Sequence, residues 1–191
     1  MQEQAFMKKL LLITGDLAAG KSTFAKLLSK RYHIHVFFKD SIKEVLGDTI
    51  GFSNREENKR LSAAAMEIMV FLFSECAQLG QSLILESNFH TAELERFQKL
   101  AQESQYETMT LELRGKVETL YHRYMNRMQN QNRHPVHLST AIDVFENFRS
   151  CTEHLRSEPI PGRTMQINAD DFAYQTDETL LSAIDAFMLS E

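Results

Sequence analysis

One eight-residue run constrains this chain more than any other: Gly15-Asp16-Leu17-Ala18-Ala19-Gly20-Lys21-Ser22. It satisfies the spacing G-x-x-x-x-G-K-[ST] at every fixed position. Each fixed residue has a physical task. The glycines reach backbone angles that a Cβ forbids and let the chain close on a phosphate. The loop N–H groups converge as an anion nest at the positive end of the helix that follows. Lys21 is a flexible point charge for β- and γ-phosphates, and the Ser22 hydroxyl is a ligand for Mg²⁺. The run follows the apolar stretch Leu10–Ile13 and opens a helix with apolar Phe24, Leu27 and Leu28. The expected nucleotide contacts are therefore Gly15, Asp16, Leu17, Ala18, Ala19, Gly20, Lys21, Ser22 and Thr23, with ATP and Mg²⁺ as the bound pair.

A loop of this kind needs a parallel sheet around it, and the remaining pattern supplies one. Short apolar runs at Lys9–Thr14, Ile34–Phe38, Ser82–Glu86, Glu107–Leu113 and Thr164–Ile167 read as strands. Helical patterns lie between them, at Lys21–Arg31, Ser41–Leu46, Arg55–Leu79, Thr91–Glu103, Lys116–Asn130, Ser139–Ser150 and Asp177–Leu189. Such alternation predicts an α/β domain with crossover helices. At 191 residues, 43% hydrophobic and 25% charged, the chain can build one core.

Ligands of an open parallel sheet sit beyond the carboxyl ends of its strands. The second strand runs into Lys39-Asp40-Ser41-Ile42-Lys43-Glu44. Asp40 can there face a γ-phosphate, orient an acceptor hydroxyl and take its proton. Lys43, one helical turn on, can hold a substrate anion. The plainer alternative is that Asp40 caps the helix at Ser41 and Lys43 is solvated. The third strand ends in Glu86-Ser87-Asn88-Phe89-His90. Glu86 is placed to reach Mg²⁺ directly or through water, although Asp is the commoner residue there. Asn88 shares that cleft as a substrate contact, while His90 reads as the start of the helix at Thr91.

After the fourth strand come Arg114, Lys116, Arg123, Arg127 and Arg133, with Glu118 the one acid among them. Arg123 and Arg127 share a helix face. The polar stretch Gln129–Pro135 suits a flap that closes over ATP and brings guanidinium groups to the transferring phosphate, with Arg127 and Arg133 foremost. The competing reading is a solvated charged helix. His134 and His137 have a metal-like spacing, but no cysteine or third ligand accompanies them, so no transition metal is expected.

Together these pieces resemble the small P-loop kinases of the nucleoside-monophosphate-kinase-like group. The nearest likeness is to the "AAA domain" kinase-like family, related to chloramphenicol phosphotransferase, the zeta-toxin kinases and the 5′-kinase domain of polynucleotide kinase. The resemblance rests on Gly15–Ser22, Lys39–Glu44, Glu86-Ser87-Asn88 and Arg123–His137 and covers most of the chain. It implies a P-loop NTPase three-layer sandwich, with a five-stranded parallel sheet in the order 2-3-1-4-5. It further implies a single domain over residues 1–191 with a small helical lid at about 115–140. The acceptor-orienting Asp maps to Asp40 and a basic substrate contact to Lys43. A lid arginine on the nucleotide maps to Arg123 or Arg127, with Arg133 a third position. The loop Asn168-Ala169-Asp170-Asp171 would border adenine.

The leading expectation is transfer of the γ-phosphoryl of Mg-ATP to a hydroxyl of a small molecule, with Lys21, Asp40, Arg127 and Arg133 as catalytic residues. A nucleic-acid 5′-kinase is a second reading, weakened by a net charge of −5 and the absence of tryptophan. A nucleotide-dependent switch is a third; no N-K-x-D or LSGGQ-like motif supports it. Cys76 and Cys151 have no metal or redox spacing and suit a reducing compartment. The apolar stretch Leu61–Leu79 carries Glu67 and Glu75, which favours a core helix over a membrane span. A cytoplasmic monomer or homodimer, free of membrane, is expected.

Overall fold

Describing residues 8–130, 133–137 and 142–190, the computed structural model has at its centre the strand that precedes the loop. β1 (Lys8–Gly15) pairs in parallel with β3 (Leu83–Glu86) on one side and β4 (Tyr106–Arg114) on the other. β2 (His35–Phe38) and β5 (Thr164–Asn168) close the two edges, giving five strands in the order 2-3-1-4-5. Leu10 through Ile13 are completely buried, as a strand covered on both faces requires.

The two-residue period of β1 sends Leu11 and Ile13 to one face and Leu10 and Leu12 to the other. On the first face pack α1 (Lys21–Tyr32), α5 (Val117–Asn130), α6 (Phe145–Ser157) and α7 (Glu178–Met188). They contribute Phe24, Leu28, Leu120, Tyr124, Phe148, Ile184 and Phe187. On the second face lie α3 (Arg55–Gln78) and α4 (Thr91–Glu103), with Met66, Met69, Phe73, Leu94 and Phe97. The result is the expected three-layer α/β sandwich.

α3 is long and apolar enough, by length and composition alone, to cross a membrane. Here it lies on the sheet, with Leu61, Ala65, Met69 and Phe73 recurring every fourth residue on its buried side. Its start is capped by Asn54, whose side chain accepts from the Glu57 N–H at 2.9 Å.

Two helices differ from the sequence reading in length. α2 runs Lys39–Ile50, through Gly47, and ends at Gly51 with φ 77°. It begins at Phe38 without a side-chain cap, so Asp40 lies inside the first turn and does not cap it. α6 runs seven residues beyond Ser150, to Ser157; the beginning predicted for it, Ser139 to Ala141, lies outside the described residues, as do Gln131 and Asn132 of the polar stretch. A 3₁₀ turn at Pro135–His137 packs against α2.

Candidate active site

Parallel pairing brings the ends of three strands level. Glu86 is opposite Ile13 on one side and Phe38 on the other, so the P-loop, Asp40 and Glu86 all leave the same rim of the sheet. Above that rim a cleft of about 120 Å³ is lined by Leu17, Ala18, Gly20, Lys21, Ser22, Thr23, Asp40, Glu86, Ser87, Asn88, Arg127 and Arg133. It opens into a second, of about 280 Å³, that adds Lys26, Phe38, Ser41, Glu44, His134 and His137.

The loop holds the shape its sequence requires. Gly15 has φ 118° and Gly20 φ 88°, and Ala18 is also left-handed at 59°. A Cβ at Gly15 would overlap the backbone of Leu113, so this glycine serves the β1–β4 junction as well as the loop. A Cβ at Gly20 would meet Tyr174 and Phe172. Tyr174 donates its hydroxyl to the Ala19 carbonyl at 2.9 Å, supporting the loop from the chain's last quarter. Neither aromatic residue carried a sequence signal.

Charge concentrates in the narrow part of the cleft. Lys21 Nζ donates to the carbonyls of Gly15 (3.0 Å) and Asp16 (2.7 Å). Burial lowers its pKa, against the opposing pull of Glu86, Asp40 and Asp16. Ser22 Oγ donates to Glu86 Oε2 at 2.8 Å. Burial raises the Glu86 pKa, and Lys21 and the Ser22 bond only partly offset it. Arg127 is driven the other way, by burial and then by Arg133 beside it. Its Nε is buried and has no hydrogen-bond partner among the described residues. Lys21, Arg127 and Glu86 thus set two desolvated cations and one desolvated carboxylate around one space, with the more exposed Asp40 at its side, and an anion with several oxygens would satisfy the cations.

Five residues named from sequence lie elsewhere, or only partly in this cleft. The Asp16 carboxylate turns away from it: buried to 2% exposure, it accepts from Gly115 N at 3.0 Å and from Arg156 Nε at 3.0 Å. The Arg156 guanidinium also donates to the Gly115 carbonyl. Arg156 lies in the part of α6 that periodicity did not reach. Lys43 Nζ points to the Val136 carbonyl at 3.4 Å, while its neighbour Glu44 lines the cleft. Arg123 donates to the carbonyls of Ala169 (2.7 Å) and Asp170 (2.6 Å) and stacks over Phe172 at 4.3 Å, which ties α5 to the loop after β5. Gly15 and Ala19 shape the loop from behind, Ala19 being completely buried.

His90 stands at the N-cap of α4, and its N–H donates to Glu93 Oε2 at 2.9 Å. His134 Nε2 is 2.9 Å from Asp48 and His137 Nε2 is 2.9 Å from Glu44. Among the described residues, no group of three or more His, Cys, Asp and Glu is arranged to hold a metal ion.

Residues 11–149 match the model of a family described as the AAA domain. No curated protein matches the sequence. Among solved structures, a candidate kinase from Chloroflexus aurantiacus is 27% identical, over 96% of this chain and all of that one, with a TM-score of 0.79. Shikimate kinase from Bacteroides thetaiotaomicron shares the fold at 15% identity (95% and 98% covered, TM-score 0.58). Kti12 from Chaetomium thermophilum, solved with ADP-AlF3, shares it at 17% identity (93% and 98% covered, TM-score 0.61).

Proposed function

The chain belongs to the AAA domain family and has the fold of small P-loop kinases, and on that premise we propose that it transfers the γ-phosphoryl of ATP to a hydroxyl of a small molecule. One observation carries the reading: Asp40 lines the same cleft as Lys21, Ser22, Glu86, Arg127 and Arg133. A switch that only bound nucleotide would have no use for a carboxylate and a second cleft at that place. The second cleft has room for a compact acceptor and leads directly to Asp40.

In this reading Lys21 exchanges its two carbonyl partners for β- and γ-phosphate oxygens. Arg127 and Arg133 take the charge that builds on the transferring group. Asp40 orients the acceptor hydroxyl and receives its proton. The acceptor oxygen then bonds to the γ-phosphorus as the bond from phosphorus to the bridging oxygen breaks, and ADP leaves. Ser22 and Glu86 are suited to Mg²⁺: both are oxygen donors, and the buried carboxylate lacks full charge compensation. Mg²⁺ takes few protein ligands and fills its shell with water and phosphate oxygens, supplying charge neutralisation when bound. Arg123, with Phe172, Ala169 and Asp170, marks the side on which the base would lie; of the lid expected at about 115–140, the part beyond the core-packed Leu120 and Tyr124, carrying Arg127 and Arg133, acts as the lid. The setting is cytoplasmic, where ATP and small hydroxylated metabolites coexist.

The test is γ-labelled ATP with Mg²⁺ and a pooled extract of hydroxylated metabolites, using wild type, Lys21→Ala and Asp40→Asn. Label should enter a new compound with wild type only, and Asp40→Asn should slow transfer roughly 10²–10⁴-fold. Label released solely as free phosphate, or transferred equally fast by Asp40→Asn, would overturn the reading.

A further inference from the structure

Gly47 lies in the interior of α2 with an ordinary helical backbone, where glycine is a poor choice and any L residue would fit the angles. What excludes a side chain is Val136. A Cβ at position 47 would overlap Val136 Cγ1, while His134 and Phe52 stand at ordinary contact distances of 3.5 and 3.8 Å. Val136, in the 3₁₀ turn, is only 1% exposed. Its carbonyl accepts from the Asn58 side chain of α3 at 2.9 Å and from Lys43 of α2 at 3.4 Å. Asn58 is itself 4% exposed. His134 and His137 bracket the valine, paired with Asp48 and Glu44 of α2. The turn is therefore seated on α2 by a plug in a notch with polar contacts on both sides. Arg133, which precedes it, reaches the cleft beside Arg127, its guanidinium over the Tyr124 ring at 5.3 Å.

We propose that Gly47 and Val136 are positioning residues: the notch and plug seat the turn on α2 and thereby hold Arg133 at the γ-phosphate end of the cleft. The proposal rests on the nucleotide reading of the site, and its test separates the two. Affinities for ADP and for a non-hydrolysable ATP analogue, both with Mg²⁺, are measured by calorimetry, alongside melting temperature. The proteins are wild type, Arg133→Ala, Gly47→Ala, Val136→Ala and the Gly47→Ala/Val136→Ala double variant.

Arg133→Ala should reduce the preference for the analogue over ADP by at least about fivefold, the loss of a charge-assisted contact. Gly47→Ala should do the same with ADP binding unchanged, since alanine favours the helix but obstructs the plug. Val136→Ala alone, with an underfilled notch, should fall between. The double variant should regain the wild-type preference to within about twofold, because the new Cβ takes the place of the lost Cγ1 methyl. A merely structural contact predicts instead that the variants shift melting temperature while the preference for the analogue over ADP stays at the wild-type value.

An unchanged preference in Gly47→Ala, or a double variant as impaired as Gly47→Ala, would overturn the positioning role while leaving nucleotide binding intact. A wild type that binds neither nucleotide would overturn both readings together.

Discussion

Glu86 shows what a single position can and cannot disclose. Its place at the end of an apolar strand made it a candidate for metal contact from sequence, because strand ends of a parallel sheet face the ligand. Its burial, and the upward pKa shift that follows, depend on α1 and Lys21 packing around it. Lys43 and Glu44 show the limit. Adjacent residues on a helix point about 100° apart, and only the turn near Val136, over 90 residues away in sequence, decides which of them faces the cleft. A prediction belongs here. A carboxyl whose folded pKa is raised favours folding while protonated, and that contribution is lost as pH rises through the raised value. Melting temperature of the ligand-free protein should therefore fall for wild type relative to Glu86→Gln as pH rises from the ordinary value of 4.5. Parallel melting curves for the two proteins from pH 5 to 8 would contradict the assigned strain.

At the level of elements, existence was legible and ends were not. Among the described residues, the five strands and seven α-helices follow from apolar runs alternating with helical periods. The sequence reading ends α2 at Leu46; in the structure the helix runs on through Gly47 to Ile50, and the space that a side chain at 47 would fill belongs to Val136. α6 was read as stopping at Ser150, although the Arg149–Glu153 pair at spacing four supports its continuation to Ser157. That last turn carries Arg156, whose ion pair with Asp16 joins α6 to the start of the P-loop. Asp16 was grouped with the nucleotide contacts because it falls within the motif, and only the fold shows its carboxylate turned to Arg156 and Gly115. Asp16→Asn would leave a guanidinium half-satisfied and should cost about 2–4 kcal/mol of stability. Denaturant titration should register that loss, with nucleotide affinity altered less; the reverse ranking would place the Asp16 side chain in the binding site.

The molecule as a whole is two hydrophobic layers sharing one sheet. Leu12 is completely buried between β1 and the α3–α4 layer, whereas Phe71 on the far side of α3 is 59% exposed. Leu12→Ala should cost about 2–5 kcal/mol, and Phe71→Ala no more than about 0.5 kcal/mol. Thermal melts would separate them by roughly 5–15 °C, and comparable losses would mean that the outer face of α3 is covered in solution. The strand order has a consequence for how such a molecule is made. Of the five strands β1 is made before the others, yet its neighbours are β3 and β4, not β2. Nearly seventy residues must be added between Gly15 and Leu83, which takes several seconds at roughly 5–20 residues per second. Throughout that interval the central strand, with Leu10 to Ile13 destined for complete burial, waits without a partner, so the nascent chain offers chaperones its central strand before its edges.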